Sequence, residues 1–122
     1  MAKSDSLNQY AEGWVKGDAA IIMGSLDDSF QLDDPNAGKI SKQAFTAYFS
    51  DLKRQVQSMG GGTGGNFLDV SELVTQEEGG VLTAWVWWLF TGTSTEGSGL
   101  IKVGDSCVLS ERLAFYTKLP GC

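Results

Sequence analysis

The stretch YAEGWVKGDAAIIMGSLDDSFQLDDP, from Tyr10 to Pro35, switches its hydrophobic period twice and decides the fold class. Leu7, just upstream, opens a series with Tyr10, Ala11, Trp14 and Val15 at helical spacing, which predicts an amphipathic helix ended by Gly17. Ser4, Asp5 and Ser6 are its candidate N-caps. Asp18 then caps a second, short helix through Ala19, Ile21, Ile22 and Leu26, which Asp27-Asp28-Ser29 breaks. Beyond the break Phe30, Leu32 and Asp34 alternate with Gln31 and Asp33, so the chain turns to a strand. The apolar face of that strand ends in a carboxylate, and Pro35-Asn36-Ala37-Gly38 follows as a turn.

Working outward, Ser41 precedes a third helix in which Phe45, Tyr48, Phe49, Leu52 and Val56 keep helical spacing as far as Met59-Gly60. The segment GGGTGG, Gly60 to Gly65, lacks the Lys-Ser/Thr of a phosphate-binding loop and follows a helix rather than a strand. It reads as a connector, with a mobile lid over a pocket as the other reading. Strand-like stretches follow at Phe67–Gln76, Val81–Thr91, Ser98–Val103 and Val108–Lys118, and their short connections predict an antiparallel meander. The expected fold is therefore α+β, a curved antiparallel sheet wrapped around three helices on one side.

The 122 residues, 42% of them hydrophobic and including four Trp, three Tyr and six Phe, suffice for one packed domain over 1–122. Nine basic against fifteen acidic residues give a net charge of −6, and no basic run exceeds Lys53-Arg54, which argues against nucleic acid as a partner. The longest apolar run, Val81 to Phe90, is about half a membrane span, and MAKSDSLNQ is no signal peptide. A soluble, cytoplasmic protein without membrane contact is the expectation. Histidine is absent, and Cys107 and Cys122 make no paired-thiol motif. That inventory argues against Ser-His-Asp and Cys-His nucleophiles and the usual zinc sites, so neither metal nor cofactor is expected. Any chemistry would rest on carboxylates, Tyr, Arg, Lys or backbone groups.

The Tyr10–Pro35 stretch resembles the opening of the ketosteroid isomerase, SnoaL-like polyketide cyclase and limonene epoxide hydrolase group. The shared marks are an aromatic first helix, a Gly-Asp junction, an acidic break and a strand ending in acid-Asp-Pro. The resemblance implies the nuclear-transport-factor-2-like cone, a cystatin-like α+β barrel, over nearly the whole chain. That fold hosts isomerases, cyclases, hydrolases and non-enzymes. Alignment with ketosteroid isomerase implies Tyr10 as oxyanion-hole donor and Asp34 as general base. The second oxyanion acid falls at Gly99, which has no side-chain donor. The resemblance also turns Ser110, Arg112, Ala114 and Tyr116 inward and implies a dimer through the backs of the sheets.

With Glu78-Gly79 as a hairpin tip, Trp88 opposes Asp69, Val86 opposes Ser71 and Ala84 opposes Leu73 on one face. The other face carries Trp85, Trp87 and Leu89, so this strand needs cover on both sides. A homodimer through the Trp85 and Trp87 face supplies the second cover. An inward Arg112 needs a carboxylate, and Asp69 and Asp34 are the candidates. Each assignment has an alternative: Asp34 as a turn former, Tyr10 as core, and Asp69 on the opposite face after a one-residue slip. Arg112 could instead face solvent with Glu111 buried in its stead, and the two indoles could stack on a ligand.

The expected pocket is lined by Trp14, Leu32, Phe49, Val86 and Trp88, with Gly99, Arg112, Ala114 and Tyr116 completing it. It would take a small apolar, carbonyl-containing compound of polyketide or steroid type. In that reading Asp34 abstracts a proton beside the carbonyl and Tyr10 donates to the oxyanion, giving isomerisation or aldol cyclisation. Epoxide hydrolysis by water held between Asp34, Asp69 and Arg112 is a second reading, although the Arg-x-Asp strand motif of that family is missing. A non-catalytic binding module, with Asp34 and Arg112 as a structural ion pair, is the third.

Overall fold

The computed structural model describes residues 2–62 and 65–116. The expected strand end at Lys118, residue Cys122, and Thr63 and Gly64 of the glycine-rich connector lie outside the described residues. Helix α1 (Lys3–Lys16) buries Leu7, Tyr10 and Trp14, the apolar series of the sequence. It starts at Lys3 behind Ala2, so Ser4, Asp5 and Ser6 lie in its first turn rather than capping it. Gly17 ends it in the left-handed conformation with φ 70°. Helix α2 (Ala19–Met23) is capped by the Asp18 carboxylate, which accepts from the N–H groups of Ala20 and Ile21. The helices cross at Gly13, where a Cβ would lie 2.5 Å from Ile22 Cγ1. Leu26 leaves α2 and opens a strand instead, because Gly24-Ser25 ends the helix a full turn before the acidic break.

Strand β1 (Leu26–Asp34) turns through Pro35-Asn36-Ala37 into β2 (Gly38–Ser41), an edge strand that exposed polar residues give no periodicity to announce. Helix α3 (Lys42–Ser58) is capped by Ser41 and buries Phe45, Phe49, Leu52 and Val56 as expected. Strands β3 (Leu68–Glu78), β4 (Val81–Phe90), β5 (Glu96–Val103) and β6 (Val108–Tyr116) form the antiparallel meander. The sheet order is β2-β1-β6-β5-β4-β3, and β1 runs parallel to β6. The curved sheet is thus mixed rather than wholly antiparallel. Strand patterns carry no information on the direction of a partner so far along the chain, which is why the parallel pair was not legible.

The β3–β4 tip is Gly79-Gly80, both glycines with positive φ, so Glu78 pairs with Val81. A bulge between Val70 and Glu72 then shifts the register once more, pairing Trp88 with Val70 and Asp69 with Leu89. The helices and the inward side chains of β1, β4, β5 and β6 share one core, in which Phe30, Phe45, Phe49, Leu32 and Val103 are fully buried.

Candidate functional site

Tyr10 and Trp14 stand one turn apart on the buried face of α1, their ring centroids 6.4 Å apart. Opposite them, β6 sends Glu111, Leu113 and Phe115 inward, and parallel pairing puts Glu111 beside Leu32 of β1. The Tyr10 hydroxyl donates to Glu111 Oε1. Glu111 is only 4% exposed, and among the described residues no cation lies within ion-pair distance of it. Burial pushes its carboxyl up to about 7, and the Tyr10 hydrogen bond opposes the rise. Burial first, then the neighbouring Glu111 carboxylate, pushes the Tyr10 phenol well above its ordinary value.

Gly99 makes this placement possible. A Cβ there would collide with Glu111 Oε2, so the bare backbone of β5 leaves the carboxyl its place. Around the pair lies an apolar cavity of about 30 Å³ lined by Trp14, Val86, Trp88, Ile101 and Leu113 among others. That is room for a water or two or the end of a ligand, not for a fused-ring body. It reaches the surface between α1 and β3, where Val70 and Leu73 are exposed.

A second phenol–carboxyl pair stands at the end of β1. Tyr48 of α3 donates to Asp34 Oδ2 at 2.6 Å, while the N–H groups of Asn36 and Ala37 donate to Oδ1 at 2.7 and 3.3 Å. Burial and the Asp34 carboxylate raise the Tyr48 phenol, and Glu111 adds to the shift from a greater distance. Asp34 and Tyr48 border a wider recess of about 580 Å³ among the described residues, which shares Leu52, Phe90 and Phe115 with the lining of the inner cavity. Tyr48 and the two turn N–H groups thus occupy both oxygens of the Asp34 carboxyl.

The expected site is therefore brought together in part. Tyr10 and Asp34 are buried facing the cone, Trp14, Val86 and Trp88 line the inner cavity, and Leu32 and Phe49 lie in the core behind it. Arg112 does not enter the cone: its side chain is 76% exposed and its Nε lies 3.8 Å from Asp33. Ala114 is exposed on the same outer face, and Tyr116 sits at the rim, donating to Ser98 Oγ at 2.6 Å. The face of β6 is set by Leu113 and Phe115, and a carboxyl can shed its charge where a guanidinium cannot. Asp69 is exposed on the outer face beside Leu89, sent there by the one-residue bulge between Val70 and Glu72. No Asp34, Asp69 and Arg112 cluster exists, so the water-activating trio expected for epoxide hydrolysis is not assembled. Glu111 enters the sequence reading only as the residue buried in place of an outward Arg112, with no chemical role, and that alternative is the arrangement found; its alternation with Leu113 and Phe115 was the available signal.

Among the described residues no group of three potential ligands stands ready for a metal ion, and no helix is long and apolar enough to cross a membrane. The curved six-stranded sheet with its three helices has the nuclear-transport-factor-2-like fold, also called cystatin-like. A nuclear-transport-factor-2-like protein from Cytophaga hutchinsonii superposes with TM-score 0.63 at 15% identity, covering 95% of this chain and 91% of its own. A cystatin-like protein from Xanthomonas campestris gives TM-score 0.66 at 14% identity, with 96% and 92% covered. A candidate polyketide cyclase from Sinorhizobium meliloti gives TM-score 0.64 at 11% identity, with 90% and 94% covered. No family model matches the sequence, and no curated protein is significantly similar to it.

Proposed function

We propose that this protein binds a small carbonyl compound or its enol in the cone and moves a proton at Glu111, as an isomerase or aldol cyclase would. The observation that carries the reading is the buried Glu111 carboxyl, held by Tyr10 in an apolar cavity with no cation beside it. Such a group costs folding energy, and a carboxyl near 7 is matched to both taking and returning a proton at neutral pH. In the step, a C–H bond beside the carbonyl breaks, its electron pair enters the enolate, and the proton forms an O–H bond on Glu111. Return of that proton to another carbon completes an isomerisation; in an aldol closure the enolate carbon bonds to a second carbonyl carbon, whose π pair moves onto oxygen, and that alkoxide takes the proton back from Glu111. The role first assigned to Asp34 passes to Glu111 in this account, because Asp34 is committed to Tyr48 and its own turn.

The cavity of about 30 Å³ favours a small ketone, or one end of a longer chain, over a steroid nucleus. The candidate cyclase among the structural neighbours is in keeping with this class. A second reading, a binding module without turnover, is favoured by the saturation of Asp34, which leaves a single carboxyl for chemistry. Cyclopentanone incubated with the protein in D₂O separates the two. Loss of its α-proton NMR signal faster with wild type than with Glu111→Gln supports proton abstraction, and equal rates contradict it.

A further inference from the structure

We propose that the free edge of β3 docks an extended, basic segment of another protein as an added strand of the sheet. Strand β3 is the last on its side of the sheet and pairs with β4 alone. Its 11 residues are about twice the usual strand length, and every residue from Asp69 to Glu78 is exposed. Among the described residues, no backbone hydrogen bond outside the β4 ladder reaches Leu68–Glu78. The N–H and C=O groups that point away from β4 therefore stand open to another strand. The bulge lies near the start of β3, between Val70 and Glu72, whereas pairing with β4 is regular from Leu73 to Glu78 and leaves an unbroken template there.

Charge selects the occupant. Strand β3 carries Asp69, Glu72, Glu77 and Glu78 and no basic residue. Any register of one β3 on the β3 of a second copy sets acid against acid with no cation between them, which opposes pairing. A strand with Lys or Arg at alternate positions meets opposite charges instead. Among the described residues, the cation within ion-pair distance of β3 is Lys3 of α1, 3.6 Å from Glu77, and the Glu77 side chain is still 58% exposed. Beside the edge, a groove of about 460 Å³ lies between α1 and β3, with Leu7, Leu73 and Leu82 along it. It offers apolar seats to every second side chain of the added strand, while main-chain bonds supply affinity. This surface is the edge of the sheet and not the face that carries Trp85, and it is independent of the chemistry in the cone.

The probe is a short, end-blocked peptide alternating lysine with valine, titrated into the ¹⁵N-labelled full chain and followed by NMR. The expected result is saturable amide shifts centred on Leu73–Glu78, with slowed hydrogen exchange at the β3 amides that point away from β4. Glu77→Gln/Glu78→Gln, at two exposed positions, should weaken binding roughly tenfold. The same peptide N-methylated throughout keeps its charge but cannot join the ladder, and it should not bind saturably. Equal binding of the two peptides, or shifts spread over carboxylates elsewhere, means charge attraction alone and overturns the proposal. Protection of the β3 amides that rises with protein concentration in the absence of peptide makes a second copy the occupant and overturns it too, as does an absence of saturable binding.

Discussion

At the scale of single residues, Glu111 and Gly99 form one device, a carboxyl and the space that admits it. A carboxyl at about 7 in the folded chain and near 4.5 in the unfolded one binds more protons when folded between those values. Stability contributed by the neutral form is therefore complete below about 4.5 and is lost as the pH rises through about 7. The loss is on the order of 3 kcal/mol. Thermal melts between pH 4 and 8 should show it in wild type and not in Glu111→Gln, which would gain on wild type at the alkaline end. Equal pH profiles for the two proteins would contradict the buried acid. Gly99→Ala should drive the carboxyl out of its place and cost about 1–3 kcal/mol, the range for overpacking. Adding Glu111→Ala should restore part of that loss, a non-additivity that a double-mutant cycle reads directly.

Among the elements, β6 separates what the sequence showed from what it could not. Helices α1, α2 and α3 followed from apolar spacing with the Asp18 and Ser41 caps, and the meander followed from its turns. The register of β3 on β4 did not, because GluGluGlyGly allows more than one tip and the bulge at Val70 has no side-chain signature. Asp69 was misplaced for that reason, since one residue of slip exchanges the two faces of a strand, whereas Arg112 was turned inward by the family resemblance and lies outward because Glu111 and Leu113 take the inner face. Tyr10, Trp14 and Asp34 were legible because each sits at a fixed phase of a strong pattern. Arg112→Met tests the orientation of β6, since an exposed arginine 3.8 Å from Asp33 contributes little. Chemical denaturation should place the variant within about 0.5 kcal/mol of wild type, whereas a loss of several kcal/mol would mean a buried partner.

For the whole molecule, the cone leaves one apolar sheet face without cover. Trp85 is 36% and Val74 45% exposed, and they pair across β3 and β4 beside Leu100. A second copy of the chain is the proposed occupant, so Trp85→Lys/Trp87→Glu should shift sedimentation from dimer to monomer at micromolar protein. Wild-type protein that sediments as a monomer would remove the dimer from the account. The other side of the sheet holds the central claim, that one uncharged-or-charged carboxyl governs what the cone does. The most direct measurement is the ¹³C carboxyl resonance of Glu111, followed by NMR across pH and assigned by its disappearance in Glu111→Gln. The account predicts a midpoint near 7, raised further in Tyr10→Phe because the hydrogen bond that favours the carboxylate is gone. A midpoint at the ordinary 4.5, unchanged by Tyr10→Phe, would contradict it.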